Sequence, residues 1–209
     1  MRSTIDDLVP FGMRRIPAFL LSVSCLGAAA QGVVPCDKPV RFTAGWFAAP
    51  ELDNTKSSTE VTAIGASVRG KGTQIGHVVV QTKLEVLPQA ACAGGFVVHL
   101  EYVKPVLRVA NEFPPDSCAY GRVLHHENTH VEIYREVARQ FRELEYPWPQ
   151  GAKSAAILAY AKVELNRLMQ AQVRFDSPEE YAKNQTLCGG EILRLVKAAA
   201  PPRSVQKPG

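Results

Sequence analysis

The sequence changes character at the proline pair that begins at Pro114, and this change constrains the fold more than any other feature. Before the pair, residues 77–87 and 95–103 are rich in β-branched residues that partly alternate with polar ones, and residues 105–113 resemble a further strand in composition. Short segments of this kind, separated by Gly- and Pro-containing stretches, predict β-strands. Residues 51–59 are polar and predict a loop.

Beyond the proline pair, the sequence predicts helices. Asp116 or Ser117 can cap a helix, because a short polar side chain can accept a hydrogen bond from an unpaired N–H of the first turn. This helix is predicted to run to about residue 144. Residues 146–151, Tyr-Pro-Trp-Pro-Gln-Gly, then end it, because proline lacks the N–H donor and clashes with the preceding turn. A second predicted helix covers residues 153–173.

A third helix is predicted from a capping pattern. Ser177 is followed by Pro178 at the first helical position and by Glu180 three residues after the cap. This helix is expected to reach about residue 188, and a short helix over residues 191–199 follows. Because strands come first and helices afterwards, the sequence predicts the α+β class, with a strand-rich N-terminal half and a helical C-terminal half.

The N-terminus has the pattern of a signal peptide. Arg14 and Arg15 precede an apolar run, residues 16–30, that has signal-peptide length and ends in small residues. The run is too short to span a bilayer comfortably. Residues 1–30 therefore predict a signal peptide, with Met13 as an alternative start, and a protein exported to the periplasm or secreted, with no stable membrane span after cleavage.

The remainder of the chain predicts one domain. Residues 31–199 are enough for a single hydrophobic core, and the Pro-rich residues 200–209 predict a disordered tail. The formal net charge is +4, and the chain contains no long block of Lys and Arg. Such a charge pattern does not suggest an electrostatic footprint for nucleic acid, so no nucleic-acid partner is expected.

Four cysteines follow the predicted signal peptide, namely Cys36, Cys92, Cys118 and Cys188. An even number in an exported chain predicts disulfide bonds, and four cysteines allow three pairings. We favour Cys36–Cys92 and Cys118–Cys188, because each of these bonds then joins one half of the chain to itself.

The segment His-Glu-Asn-Thr-His, residues 126–130, has the side chains and spacing of a zinc-binding site. Four residues of a helix rotate by about 400°, so His126 and His130 share one face and can both bind one tetrahedral zinc ion. Glu127 points about 100° away, from where it can reach a zinc-bound water as a general base. The histidines continue an apolar line that predicts a face turned into the protein, formed by Val123, His126, His130, Ile133 and Val137.

Through this motif, on a helix preceded by strands, the sequence resembles the zincin metallopeptidases. The longer stretch "SCAYGRVLHHENTHVEIY", with the later "FDSPEEY" and Cys188, is similar to a group of bacterial exported zinc-dependent proteases. The resemblance implies hydrolysis of a peptide or protein substrate, a Zn²⁺ cofactor, His126 and His130 as ligands, Glu127 as the base and a third ligand downstream. The third histidine of the metzincins and the Glu-x-x-x-Asp pattern of the thermolysin-like enzymes are both absent after His130.

The third ligand is therefore predicted to be a carboxylate. If Cys118 is bonded to Cys188 and their helices run antiparallel, Glu180 lies level with His126, because each is eight residues from its cysteine. Glu180 can equally serve the helix cap with Ser177. We favour Glu180 as the third ligand, and Glu164, Asp176 and Glu179 could take its place.

A different class of function also fits these residues. The chain would then be a non-catalytic exported binding or structural protein, in which His126 and His130 belong to a closed zinc site or hold no metal. A fourth protein ligand would favour this second class, because a catalytic zinc keeps one position for water.

Overall fold

A computed structural model describes residues 36–46, 49–65, 73–148 and 151–199, all of which belong to one compact unit, Val33–Gly209. The predicted signal peptide and the predicted C-terminal tail lie outside the described residues, and both remain predictions.

The described strands form one sheet around a long central strand. The strands are β1 (Val40–Gly45), β2 (Glu51–Asp53), β3 (Gly76–Pro88) and β4 (Phe96–Val109). β3 pairs antiparallel with β4 along almost its whole length. On the other edge of β4, β1 pairs parallel with its first half and β2 parallel with its second half.

β4 is continuous through Pro105, so the separate strand predicted for residues 105–113 is wrong. Val79 of β3 pairs with Val106 and Gln81 with Val103, which gives β4 one extra residue at this point. Lys104 takes a φ of 48° in this bulge. A bulge tolerates a proline because its residues make no regular ladder hydrogen bond. The extra residue also keeps the same face of β4 buried on both sides, with Val98, Leu100 and Tyr102 before it and Leu107 and Val109 after it.

The loop predicted for residues 51–59 is also partly wrong, since it contains β2 and the start of helix α1 (Ser58–Gly65). The helix begins with a capping box. The backbone N–H of Ser57 donates to Glu60 Oε2 at 2.8 Å, and the backbone N–H of Glu60 donates back to Ser57 Oγ at 3.3 Å.

The C-terminal part is helical, which confirms the α+β prediction. It comprises α2 (Cys118–Arg142), α3 (Ser154–Phe175), α4 (Pro178–Thr186) and α5 (Glu191–Ala199), with a 3₁₀ segment, Leu187–Gly190, before α5. Ser117 caps α2, as one of the two predicted caps, by accepting the Tyr120 N–H at 3.0 Å. α4 ends slightly before the predicted position, because Cys188 and Gly189 adopt positive φ angles of 57° and 60°.

α2 and α3 pack on the sheet and bury an apolar core. Phe141, in the last turn of α2, meets Phe42 of β1 edge-on, with ring centroids 5.4 Å apart. Ile157 and Ala161 of α3 are fully buried in the same cluster. None of the helices within the described ranges combines the length and apolarity needed to cross a membrane.

Two disulfides join distant parts of the chain, and they are the two pairings that the sequence favours. Cys36–Cys92 ties the segment before β1 to the β3–β4 loop. Cys118–Cys188 ties the first turn of α2 to the 3₁₀ segment after α4. The second bond therefore holds α4 close to the N-terminal half of α2.

Candidate metal centre

The N-terminal half of α2 buries ionisable side chains. Glu127 and His130 are each only 6% exposed, and they share a buried stripe with Val123 and Val131. This stripe is rotated from the predicted one, because Glu127 lies within it while His126 sits at its edge. The Glu127 side chain packs over Gly76, at the start of β3, where a Cβ would clash with its carboxylate. A glycine at this position therefore makes room for the buried carboxylate.

Two histidine nitrogens converge on one carboxylate oxygen. His126 Nε2 lies 3.1 Å and His130 Nε2 lies 3.0 Å from Asp176 Oδ1, and Asp176 is the residue that ends α3. Counting side-chain atoms alone, His126, His130 and Asp176 are 12%, 8% and 5% exposed. Their ligand atoms all lie within 4.8 Å of one another. In a tetrahedral zinc site with bonds of about 2.0–2.1 Å, neighbouring ligand atoms are about 3.3 Å apart, so this arrangement fits such an ion.

Phe175 holds the two imidazole rings in place. Its ring stacks on His126, with centroids 4.7 Å apart and an interplanar angle of 27°, and meets His130 edge-on at 5.1 Å. Because Phe175 directly precedes Asp176, the last turn of α3 both orients the rings and supplies the carboxylate.

Gln172, which is 5% exposed, determines how His130 presents its nitrogens. The Gln172 amide Nε2 donates to the backbone carbonyl of His130 at 3.0 Å. A carbonyl can only accept, so the amide oxygen must be the atom that faces His130 Nδ1, and that nitrogen donates to it. In the neutral ring, Nε2 then carries a lone pair.

That lone pair points at Asp176 Oδ1, only 3.0 Å away. Two electron-pair donors this close are stable only when a proton or a metal ion lies between them. His130 and Asp176 therefore need a proton or a metal ion between them, and His126 Nε2 adds a third donor atom.

Glu180, which the sequence favours as the third ligand, does not join this group in the described structure. Its backbone N–H donates to Ser177 Oγ at 3.3 Å, and its carboxylate lies 3.8 Å from Lys183 Nζ. The eight-residue count from the disulfide fails because Cys188 lies in a left-handed turn outside α4, so residues cannot be counted back from it along one continuous helix.

Glu164 and Glu179 do not join the histidine group among the described residues either. Glu164 Oε2 accepts from Arg167 Nε at 2.8 Å along the surface of α3. Glu179 is exposed, and hydrogen bonds from its own backbone N–H and from Ser177 hold the pKa of its carboxyl below the usual range. Of the four carboxylates that the sequence offers as third ligand, Asp176 is the one that the structure brings to the histidines.

A second cluster of metal-type residues lies at the start of α2. Among the described residues, Cys118, Cys188 and Glu191 also come within ligand distance of one another. The two sulfurs are bonded to each other, so neither is a thiolate. Glu191 Oε2 accepts the Ala119 N–H at 2.8 Å and so caps α2. This cluster is structural.

A cavity of about 410 Å³ adjoins His126. One wall is formed by residues of α2 that lie one and two helical turns apart. The other wall is formed by α4 and the start of the 3₁₀ segment, and Phe175 of α3 also lines the cavity. The lining residues are Arg122, His125, His126, Thr129, Phe175, Glu180, Lys183, Thr186 and Leu187.

Sequence reasoning did not single out Gln172 or Phe175. The available signal was periodicity, because Gln172 continues the buried line of Leu165 and Leu168 on α3, where a polar residue needs a partner.

Comparison with family models, curated proteins and solved structures finds no match to this chain, so its function has to be inferred from the site itself.

Proposed function

We propose that this chain is an exported zinc-dependent peptidase, with Zn²⁺ held by His126, His130 and Asp176. The observation that carries the proposal is the convergence of the two Nε2 atoms on Asp176 Oδ1. Two imidazoles and one carboxylate are a ligand set typical of catalytic zinc, and three protein ligands leave a fourth position for water.

Zinc bound at this position would polarise the scissile carbonyl and make a water molecule nucleophilic at neutral pH. We assign Glu127 the proton transfers: its carboxylate takes a proton from the attacking water and delivers it to the amine nitrogen as the C–N bond breaks. Glu127 lies three residues before His130 on α2, so the two are neighbours on the helix surface, and both are buried. A buried carboxylate is costly, which supports a role beyond stability.

Export is supported by the two disulfides, which form and persist in oxidising compartments such as the periplasm. A peptide or protein substrate could enter through the cavity beside His126, which lies between α2 and α4.

The test separates proton transfer from metal binding. Glu127→Gln retains the size of the side chain but cannot accept a proton at neutral pH. We expect it to keep zinc and fold while losing about 10²- to 10⁴-fold in hydrolysis of a broad peptide library. Glu132→Gln is the matched control, because Glu132 is an exposed residue of the same helix.

If Glu127→Gln hydrolyses peptides as fast as the unaltered chain, Glu127 is not the base. If the unaltered, zinc-loaded chain hydrolyses nothing in the library and a fourth protein ligand closes the site, the protein is a structural or binding protein instead.

A further inference from the structure

The cavity beside His126 is a cleft between two helices rather than a closed hole. Arg122, His125 and Thr129 line it from α2, and Lys183 lines it from α4. Seven residues separate Arg122 from Thr129, so this wall is about 10 Å long. An extended peptide advances about 3.3 Å per residue, so the cleft accommodates about three residues.

The charges that line the cleft do not balance. Lys183 Nζ lies 3.8 Å from Glu180 Oε2, so these two charges offset each other. Arg122 is exposed and makes no ion pair within the described part of the chain. Among the described residues, its guanidinium therefore has no carboxylate partner and can bind one from a ligand.

From this geometry we infer that the cleft is a substrate subsite that selects a peptide with an acidic side chain, which Arg122 binds. The inference rests on the proposed peptidase function and names its substrate class. The guanidinium fork can hold a carboxylate through two parallel hydrogen bonds. Phe175 stacks on His126 at the metal end of the cleft and offers an apolar surface to the neighbouring residue of the peptide.

The position of the acidic residue follows from the helix geometry. Arg122 precedes His126 by four residues, which is one turn or about 6 Å along α2. At about 3.3 Å per residue, the acidic side chain lies two residues from the scissile bond, or three if the Arg122 side chain extends away from it. An acidic residue directly beside the scissile bond lies too close to the metal centre to reach Arg122.

The experiment uses fluorescein-labelled peptides in pairs that differ only by Glu or Gln, with the variable residue moved stepwise along the peptide. Binding to the zinc-loaded chain is measured by fluorescence anisotropy, and cleavage of the same peptides by mass spectrometry. We expect the Glu peptide to bind about five- to tenfold more tightly at the favoured position. This preference should shrink at 1 M salt, where the Debye length falls to about 3 Å.

Arg122→Gln should abolish the preference, and Arg122→Glu should reverse it toward a Lys-containing peptide. Arg142→Gln removes the same charge from the exposed far end of α2, about 30 Å away, and should leave the preference unchanged.

A lack of charge preference in the unaltered chain, or a preference that survives in Arg122→Gln, overturns the inference even if peptides are cleaved. A preference that depends on Arg122, without cleavage of any peptide, supports the subsite and contradicts the proposed peptidase function.

Discussion

Both halves of α2 pack against an apolar core, but the first half also buries ionisable side chains. The C-terminal half packs Val137 and Phe141 into an apolar core with Phe42 of β1. The N-terminal half packs Val123 and Val131 into a second apolar cluster, but it also buries two ionisable side chains. His130, with His126 at the edge, lies against Gln172 and Asp176, and Glu127 lies over Gly76. Burying apolar surface stabilises a fold, whereas burying charge destabilises it unless partners or a metal compensate. The contrast favours our proposal that the first half of the helix also serves a ligand, whereas the second half serves stability.

The largest expected effect is on the free energy of unfolding, which should depend on the second half of α2 far more than on His126. Phe141→Ala should lower the free energy of unfolding by about 3–5 kcal/mol, because a fully buried ring leaves a cavity. His126→Ala should change the metal-free stability much less, because His126 sits at the rim of the packed region. Urea unfolding with a chelator present measures both variants.

The stabilisation that zinc adds should be lost in His126→Ala and kept in Phe141→Ala. At 100 times its dissociation constant, zinc should stabilise the unaltered chain by about 2.7 kcal/mol and His126→Ala by far less. Phe141→Ala should retain the zinc-dependent increment. If His126→Ala loses as much stability as Phe141→Ala under chelator, the histidine is a core residue and the contrast between the two halves disappears.

A smaller effect is expected at Gln172, which contacts His130 but is not one of the proposed zinc ligands. Gln172→Leu should weaken zinc binding about 10- to 100-fold, because Nδ1 loses the acceptor that fixes its proton. Gln172→Glu should retain more affinity, since its carboxylate still accepts from Nδ1. Competition with a chromophoric chelator gives the affinities, and nitrogen NMR of the metal-free chain reports the His130 tautomer.

Gln170→Leu is the matched control, an exposed residue of the same helix. Equal zinc affinity in Gln172→Leu and Gln170→Leu would show that the buried amide serves packing alone.

The features that could be predicted from the sequence are those that depend on local patterns. The α+β class, the α2 cap at Ser117 and the histidine spacing all follow from residues within a few positions of one another. The capping box of Ser57 and Glu60 was equally local, and the start of α1 could have been recognised from it. The continuity of β4 through Pro105 could not have been recognised locally, because the bulge depends on pairing with β3.

The identity of the proposed third ligand depends on contacts between distant residues. Asp176 reaches the histidines because α3 ends beside α2, and neither the direction of α3 nor the left-handed turn at Cys188 is a property of a short segment. Register counted from Cys188 therefore favoured Glu180. The same limit applies to Gln172, whose partner His130 is 42 residues away.

The central claim is that His126, His130 and Asp176 together hold a zinc ion, and zinc content with affinity tests it most directly. Native mass spectrometry of the purified chain, free of any tag, should find about one zinc per chain, as expected for one three-ligand site. Asp176→Asn should weaken zinc binding by more than about 10- to 100-fold, the range expected for a residue that only orients a ligand. Glu180→Gln should bind zinc as the unaltered chain does. Unchanged zinc binding in Asp176→Asn, or its loss in Glu180→Gln, would contradict the assignment.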